Sequence, residues 1–287
     1  MTNVFSTLLR AIGGMVLALG LATGAGFATE EEGGTPHYPL TKPKNADWSF
    51  SGPFGHWNLG QLQRGLKVYT EVCAACHSMD ILHYRNLTDL GYTEAQVKNY
   101  AAEFEITDGP NEDGEMFERP ARPADRFKGP YANLKEAAAA NGGAVPPDMS
   151  LLAKARAPER GFPTFIFDVF TMYAENGPDY IYSLLTGYQD PPEGTEVQEG
   201  LHYNPYFVSG NALAMANPLS DGIVSYDDGS PETVDQYSKD ISAFLMWASE
   251  PGLQDRKQRG FIVIIFLLIF AGLLYFTKKK IWASVPH

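Results

Sequence analysis

Cys73-Ala-Ala-Cys76-His77 contains both cysteines of this 287-residue chain and one of its six histidines. A disulfide between thiols two residues apart would close a small, strained ring. A thioredoxin-like redox pair wants a strand–helix setting that the surrounding residues do not offer, and it has no use for the histidine. A zinc site takes four ligands, and no second cysteine pair supplies them. Covalent haem attachment uses all three side chains. Two thiols three apart lie on one side of a helical turn and can add to the two vinyl groups of one porphyrin, and the next residue places an imidazole under the iron.

Upstream, Leu59, Leu62, Leu66, Tyr69, Cys73 and Cys76 recur at intervals of three and four, which predicts one amphipathic helix running through both thiols. Gln61, Arg64, Lys67 and Glu71 fall on its solvated face. The spacing does not identify the second iron ligand. Met79 lies too near His77 to reach the opposite face, and Met246 sits in a helical pattern close to the C-terminal apolar run. Met116, Met149, Met172 and Met215 remain, with His37, His56, His83 and His202 as imidazole alternatives. Met215 stands out modestly, because Asn211-Ala-Leu-Ala-Met-Ala-Asn-Pro218 is a proline-punctuated loop able to wrap a ring edge.

The two ends read differently. Arg10 followed by the glycine-broken apolar run Ala11 to Leu21, with Gly26-Phe27-Ala28 as a small-x-small cleavage site, predicts an export signal over residues 1–28. Phe261 to Phe276 has no charged or strongly polar residue, and Gly260 and Thr277 extend it to a length that spans a hydrocarbon layer as a helix. Arg256, Lys257 and Arg259 flank it on one side and Lys278, Lys279 and Lys280 on the other, with Trp282 at interfacial depth. The equal flanks do not orient the span. The export signal does, placing 29–255 outside, 256–280 as the anchor with its basic flanks, and 281–287 as a cytoplasmic tail.

The formal net charge is −12. Between residues 29 and 255 the chain carries 15 basic and 34 acidic side chains, a balance of −19. Such a surface favours a cationic partner and disfavours nucleic acid. The run Glu103, Glu105, Asp108, Glu112, Asp113, Glu115 and Glu118 holds seven carboxylates with no lysine or arginine among them, a candidate steering surface. A further helix is expected from about Thr233 to Glu250, with Val234, Tyr237, Ile241, Leu245 and Ala248 on one face, leading into the anchor.

Several segments together resemble the cytochrome c1 family, the haem subunits of cytochrome bc1 complexes, over essentially the whole mature chain. They are the haem motif followed by Ser78-Met79-Asp80, then Tyr84-Arg85-Asn86-Leu87 and Asp108-Gly-Pro-Asn-Glu-Asp-Gly-Glu-Met116. Pro146-Pro-Asp148, Tyr182-Ser-Leu-Leu-Thr-Gly-Tyr188, Asn204-Pro-Tyr-Phe207, Asp227-Asp-Gly229 and Trp247-Ala-Ser-Glu-Pro251 complete the set. The resemblance implies a mainly α, cytochrome c-like haem domain with long loops plus one C-terminal transmembrane helix. Met215 matches the family's axial methionine, and Arg156 an arginine that pairs with a haem propionate. Tyr180 looks like a second propionate neighbour, and Asn141 and Pro147 match residues packed on the haem. Two departures stand out. With both thiols committed to haem, the chain has none for the extra disulfide of some bacterial relatives. Residues 157–174, rich in phenylalanine, look like an insertion beside the mitochondrial pattern.

The resemblance also implies a function without substrate turnover at this chain. One haem c would accept single electrons from a Rieske iron–sulfur protein and pass them to a soluble cytochrome c. The chain would sit beside cytochrome b in a dimeric complex of the bacterial inner membrane, with the haem domain in the periplasm. The alternatives are a haem c subunit of a terminal oxidase and a periplasmic haem enzyme of the peroxidase type.

Overall fold

The computed structural model describes residues 41–158 and 176–284. The export signal, His37, Met172 and nearly all of the phenylalanine-rich insertion lie outside the described residues. In chain order the helices are α1 (Leu59–Glu71), α2 (Glu94–Ala101), α3 (Leu134–Ala140), α4 (Leu152–Ala155), α5 (Asn176–Leu185), α6 (Val234–Ser249) and α7 (Leu253–Ile281). Short 3-10 turns cover Cys73–Ala75, Tyr84–Leu90 and Trp282–Ser284. Two small antiparallel pairs complete it, β1 (Glu105–Asp108) with β2 (Phe117–Pro120) and β3 (His202–Tyr203) with β4 (Ala212–Leu213). The mainly α expectation matches this architecture.

The head is organised on the crossing of α1 and α6. Helix α1 starts where the Asn58 side chain accepts from the Gln61 N–H, and it buries Leu62, Gly65, Leu66, Val68 and Tyr69. Helix α6 starts on Thr233, whose hydroxyl accepts from the Gln236 N–H, and it buries an unbroken run from Ile241 to Trp247. Gly65 marks the point of closest approach. A Cβ there would lie 2.3 Å from the Asp240 carbonyl oxygen and 2.5 Å from Phe244 Cβ, so only glycine lets the backbones meet. Beside the crossing, the fully buried Asp240 accepts from Arg64 Nε (2.8 Å), Tyr226 Oη (2.9 Å) and Gln236 Nε2 (2.9 Å). A buried carboxylate is tolerated when it is paired and hydrogen-bonded, and here it ties both helices to the 224–228 loop.

Helix α5 packs on α6 and fixes the segment before α1. Asp179 accepts from the Ala46 N–H (3.0 Å) and Trp48 Nε1 (2.8 Å), and Ser183 Oγ accepts from the Lys44 N–H (2.8 Å). The opposite side of the core is aromatic: Tyr84 stacks on Phe127 at 4.6 Å and on Phe104 at 5.5 Å between ring centroids.

Two sequence expectations are corrected here, and a third segment takes a structure the sequence did not indicate. The helix does not run through the cysteines. α1 ends at Glu71, Leu59 at its start is exposed, and the thiols sit on the following 3-10 turn. The acidic run, read only as a candidate steering surface, falls on the β1–β2 hairpin from Glu105 onward, and Arg119, just beyond the run, reaches back to Asp108 and across to Asp125. Lys257 is not a solvated flank of the anchor. It is buried, and its Nζ donates to the Phe50 carbonyl at 2.7 Å. The remainder of α7 exposes its apolar side chains from Phe261 to Phe276 along their whole length, as a helix surrounded by lipid requires.

Candidate haem site

Past Val72 the chain tightens. The N–H groups of Cys76 and His77 both bond to the Cys73 carbonyl, at 3.1 and 2.9 Å. In 3-10 geometry residues i and i+3 eclipse, so the tighter turn puts the two thiols on one side more strictly than an α-helix would. Cys73 is half-buried and Cys76 exposed. Burial, with Cys76 nearby, pushes the Cys73 thiol up to about 12. That is the reverse of the depressed value a dithiol redox site needs.

His77 is buried, and its Nδ1 lies 2.8 Å from the Pro147 carbonyl oxygen. A carbonyl can only accept, so Nδ1 carries the proton and Nε2 keeps the lone pair. Burial also lowers the pKa of the ring, which keeps the imidazole neutral, the form that binds metal. The carbonyl is itself braced. Asp148 Oδ2 accepts from Ser78 Oγ (2.9 Å) and the Asp80 N–H (2.7 Å), and Asp148 Oδ1 from the Ser150 N–H (2.9 Å). The Met149 N–H bonds to the Ser78 carbonyl (2.9 Å), and the Ile81 N–H to Ser150 Oγ (3.0 Å). Four of these hydrogen bonds zip 78–81 to 148–150 directly behind the histidine and its acceptor, and the fifth, from Ser150 to Asp148, closes the second segment on itself.

Met215 is half-buried against the core in the loop after β4, and Tyr188 Oη donates to its carbonyl at 3.0 Å. Tyr188 is close enough to Tyr180 for the two hydroxyls to interact electrostatically. Tyr180 is buried on α5 and accepts from the Val208 N–H at 3.4 Å. Burial pushes its hydroxyl up, and Arg156 at the end of α4 pulls it back. Arg156, Tyr180, Tyr188 and Met215 therefore form one run of neighbours, and His77 with Pro147 a second. Asn141 stands apart from both. Its amide closes α3, donating to the Ala137 carbonyl (2.7 Å) and Tyr131 Oη (3.0 Å).

Among the other candidates for the second iron ligand, Met116 is exposed on the hairpin, while Met79, Met149 and Met246 are enclosed in the apolar core. His56 and His202 are exposed, and His83 caps the 3-10 helix Tyr84–Leu90. Among the described residues no group of three or more His, Cys, Asp or Glu converges as a metal site. The donors that remain fit a haem c: two thiols on one side of a turn, a neutral imidazole held through Nδ1, and a half-buried thioether. Asp148 and Tyr188 were given no role by sequence reasoning, although both lie inside quoted motifs. The signal for Asp148 was its place immediately after Pro147.

An α-helical head carrying this donor set, joined to an exposed apolar helix, defines an anchored haem protein of the cytochrome c class. Residues 48–285 match the Cytochrome C1 family. Over 281 residues the chain is 43% identical to cytochrome c1 of Blastochloris viridis, covering 96% of this chain and 97% of that one. It is 42% identical to cytochrome c1 of Rhodospirillum rubrum with both chains fully covered. It is also 53% identical over 279 residues to a protein of Bradyrhizobium diazoefficiens named cytochrome b/c1, of whose length it spans 40%. The chain belongs to the cytochrome c1 family, and is a haem c electron-carrier subunit of a cytochrome bc1 complex.

Proposed function

We propose that the chain carries one haem c, for which Cys73 and Cys76 would supply the thioether attachments and His77 and Met215 the iron ligands. Haem c supplies a one-electron couple when bound; the protein sets its potential, orientation and access. His77 stays neutral and oriented because Pro147 accepts its Nδ1 proton. Hydrogen bonding at Nδ1 raises ligand basicity, while a thioether on the other side favours the reduced state. Arg156 and Tyr180 lie together where they could take the propionates. Pro147 packs on the haem beside His77, and Asn141 contributes by shaping the end of α3.

Electrons enter from a Rieske iron–sulfur protein and leave to a soluble cytochrome c. The anchor, residues 256–280, holds the exported head, residues 29–255, on the periplasmic face of the bacterial inner membrane beside cytochrome b. The tail 281–287 is cytoplasmic, and residues 1–28 are removed on export. The name of the Bradyrhizobium relative, which pairs b with c1, supports that neighbour. The complex is a dimer. The β1–β2 hairpin carries exposed carboxylates at Glu105, Glu112, Asp113, Glu115 and Glu118 and steers a basic cytochrome c; Asp108 is already engaged by Arg119.

The carbonyl-held neutral imidazole next to two thiols on one turn carries this reading. Its test is spectroscopy of the purified chain with and without Met215→Leu. The unaltered protein should keep its haem through acid–acetone extraction and show a low-spin, six-coordinate spectrum. The variant should lose that signature, with a large fall in potential. A spectrum unchanged by Met215→Leu would remove this residue from the site, and extractable haem would remove the thioether bonds. Replacing the exposed hairpin carboxylates by amides should flatten the salt dependence of cytochrome c reduction; an unaltered dependence would refute steering by this hairpin.

A further inference from the structure

We infer that the loop Ser51–Gly55 is a second membrane contact, with Phe54 seated in the lipid interface beside the start of the anchor. Phe54 is 75% exposed, the most exposed large apolar side chain of the described residues. Its ring is not simply loose. It meets the ring of Phe261 edge-on, with centroids 5.2 Å apart. Phe261 is the first residue of the uninterrupted apolar stretch of α7, so Phe54 stands at the level where that helix enters hydrocarbon.

The loop is built to hold that position. Phe50 at its base is fully buried, packed between Trp48 (5.4 Å) and Trp57 (4.7 Å). The His56 N–H closes the loop on the Ser49 carbonyl at 2.8 Å. Gly52 turns the chain at φ +72°. At Gly55 a Cβ would fall 2.2 Å from the Phe50 carbonyl carbon, so the loop closes only with glycine there. The base is also tied to the anchor: the Phe50 carbonyl accepts from buried Lys257 Nζ at 2.7 Å, one helical turn before Phe261. A phenylalanine fixed at the tip of so constrained a loop, next to a lipid-facing ring, continues the apolar surface of the anchor. Contiguous exposed apolar surface marks a protein or membrane contact, and its continuity with the lipid-facing ring of Phe261 favours lipid here. Arg256 and Arg259, exposed on the same end of α7, suit the phosphate layer just above it.

The consequence is mechanical. A single helix lets a head swivel and tilt; a second contact off the helix axis removes those freedoms and holds the haem domain at a set attitude to the bilayer. This rests on the reading of α7 as a membrane span, and the experiment separates the two. Nitroxide labels are placed by Phe54→Cys, by Ile264→Cys within the span and by Thr88→Cys on the exposed head, each in full-length, haem-loaded protein within the whole complex in phosphatidylcholine vesicles. Collisions with oxygen and with a water-soluble nickel chelate are then read by power saturation. The expected result is oxygen access and nickel shielding at position 54, in the same direction as 264 and opposite to 88. Nickel access at 54 with shielding at 264 would overturn the loop contact and leave the span intact. Shielding of 54 from both reagents would show a protein partner on the loop and would equally overturn lipid contact. Nickel access at 264 would overturn the span and the loop contact together.

Discussion

Replacing Asp148 by alanine tests whether His77, the proposed iron ligand, is held by a helix or by a latch between loops. The carboxylate accepts from Ser78 Oγ, the Asp80 N–H and the Ser150 N–H at 2.7–2.9 Å, and Asp148 follows the residue whose carbonyl receives the His77 proton. A hydrogen bond to a charged group contributes about 1.5–3 kcal/mol. The three bonds share one carboxylate and do not add, and exposed Asp80 can turn to water. The expected loss for Asp148→Ala is therefore about 3 kcal/mol. In a domain of this size that lowers the melting midpoint by about 6–12 °C. Soret absorbance during a thermal melt measures it. Asp148→Asn keeps one acceptor oxygen and should fall about halfway between. A second readout separates the latch from mere stability. Once the Pro147 carbonyl drifts, the Nδ1 bond weakens, the imidazole becomes less basic, and the reduction potential should rise. An alanine variant with unchanged midpoint and unchanged potential would refute the latch. A lowered midpoint with unchanged potential would leave Asp148 a stabilising residue with no hold on His77.

Gly65→Ala drives a methyl group into the Asp240 carbonyl and Phe244, and should destabilise the head by about 3 kcal/mol, seen as a shifted guanidinium midpoint. Asp240→Ala leaves Arg64 and Tyr226 without their shared acceptor, and should cost about 3–5 kcal/mol in the same assay. Arg119 holds the carboxyls of Asp125 and Asp108 below the usual range, chiefly through its hydrogen bonds to them. Because these folded values are depressed, the pairing is fully present above the unfolded carboxyl range near pH 4, and is lost as pH falls through the folded values. The protection factors of the β1–β2 hairpin amides, taken against the intrinsic exchange rate at each pH, should therefore fall below about pH 4. Arg119→Leu should show fast exchange at neutral pH and no further acid transition; an acid transition that survives the substitution would clear Arg119 of the role.

What the sequence made legible was whatever periodicity and charge encode locally. Helix α6 was expected from about Thr233 to Glu250, and the structure places its caps on those two residues, because a hydroxyl N-cap and a face of Tyr237, Ile241 and Leu245 are both written in the chain. The end of α1 was not legible. Leucines at three- and four-residue spacing run into the cysteines without a break, and α-helix and 3-10 turn both satisfy that spacing. The hairpin escaped because its strands are only four residues long and carry one large apolar side chain each, Ile106 and Phe117, too few to reveal a period of two. Its turn is set instead by the Asn111 side chain, which accepts from the N–H groups of Asp113 and Glu115. Lys257 was read by charge as part of a basic flank, although only the fold reveals the Phe50 carbonyl waiting for it.

The same division runs through the haem site. The attachment motif is local, so five consecutive residues announce it. Everything that orients it is distant: Pro147 lies 70 residues from His77, and Tyr188 lies 27 from Met215. Each contact runs through a backbone carbonyl, that of Pro147 in the first and that of Met215 itself in the second, and no side-chain pattern can advertise it. A head this rich in loops cannot aim an imidazole by placing it on a long helix, since α1 has already ended. It aims the ring with a carbonyl instead, and a carbonyl in a loop points reliably only when its peptide is fixed from both sides. Asp148 fixes one side, and the chain leaving His77, through Ser78 and Asp80, supplies the partners. Imidazole and acceptor thus restrain each other, and on the proposed ligation reduction potential and fold stability should respond together when that loop is cut.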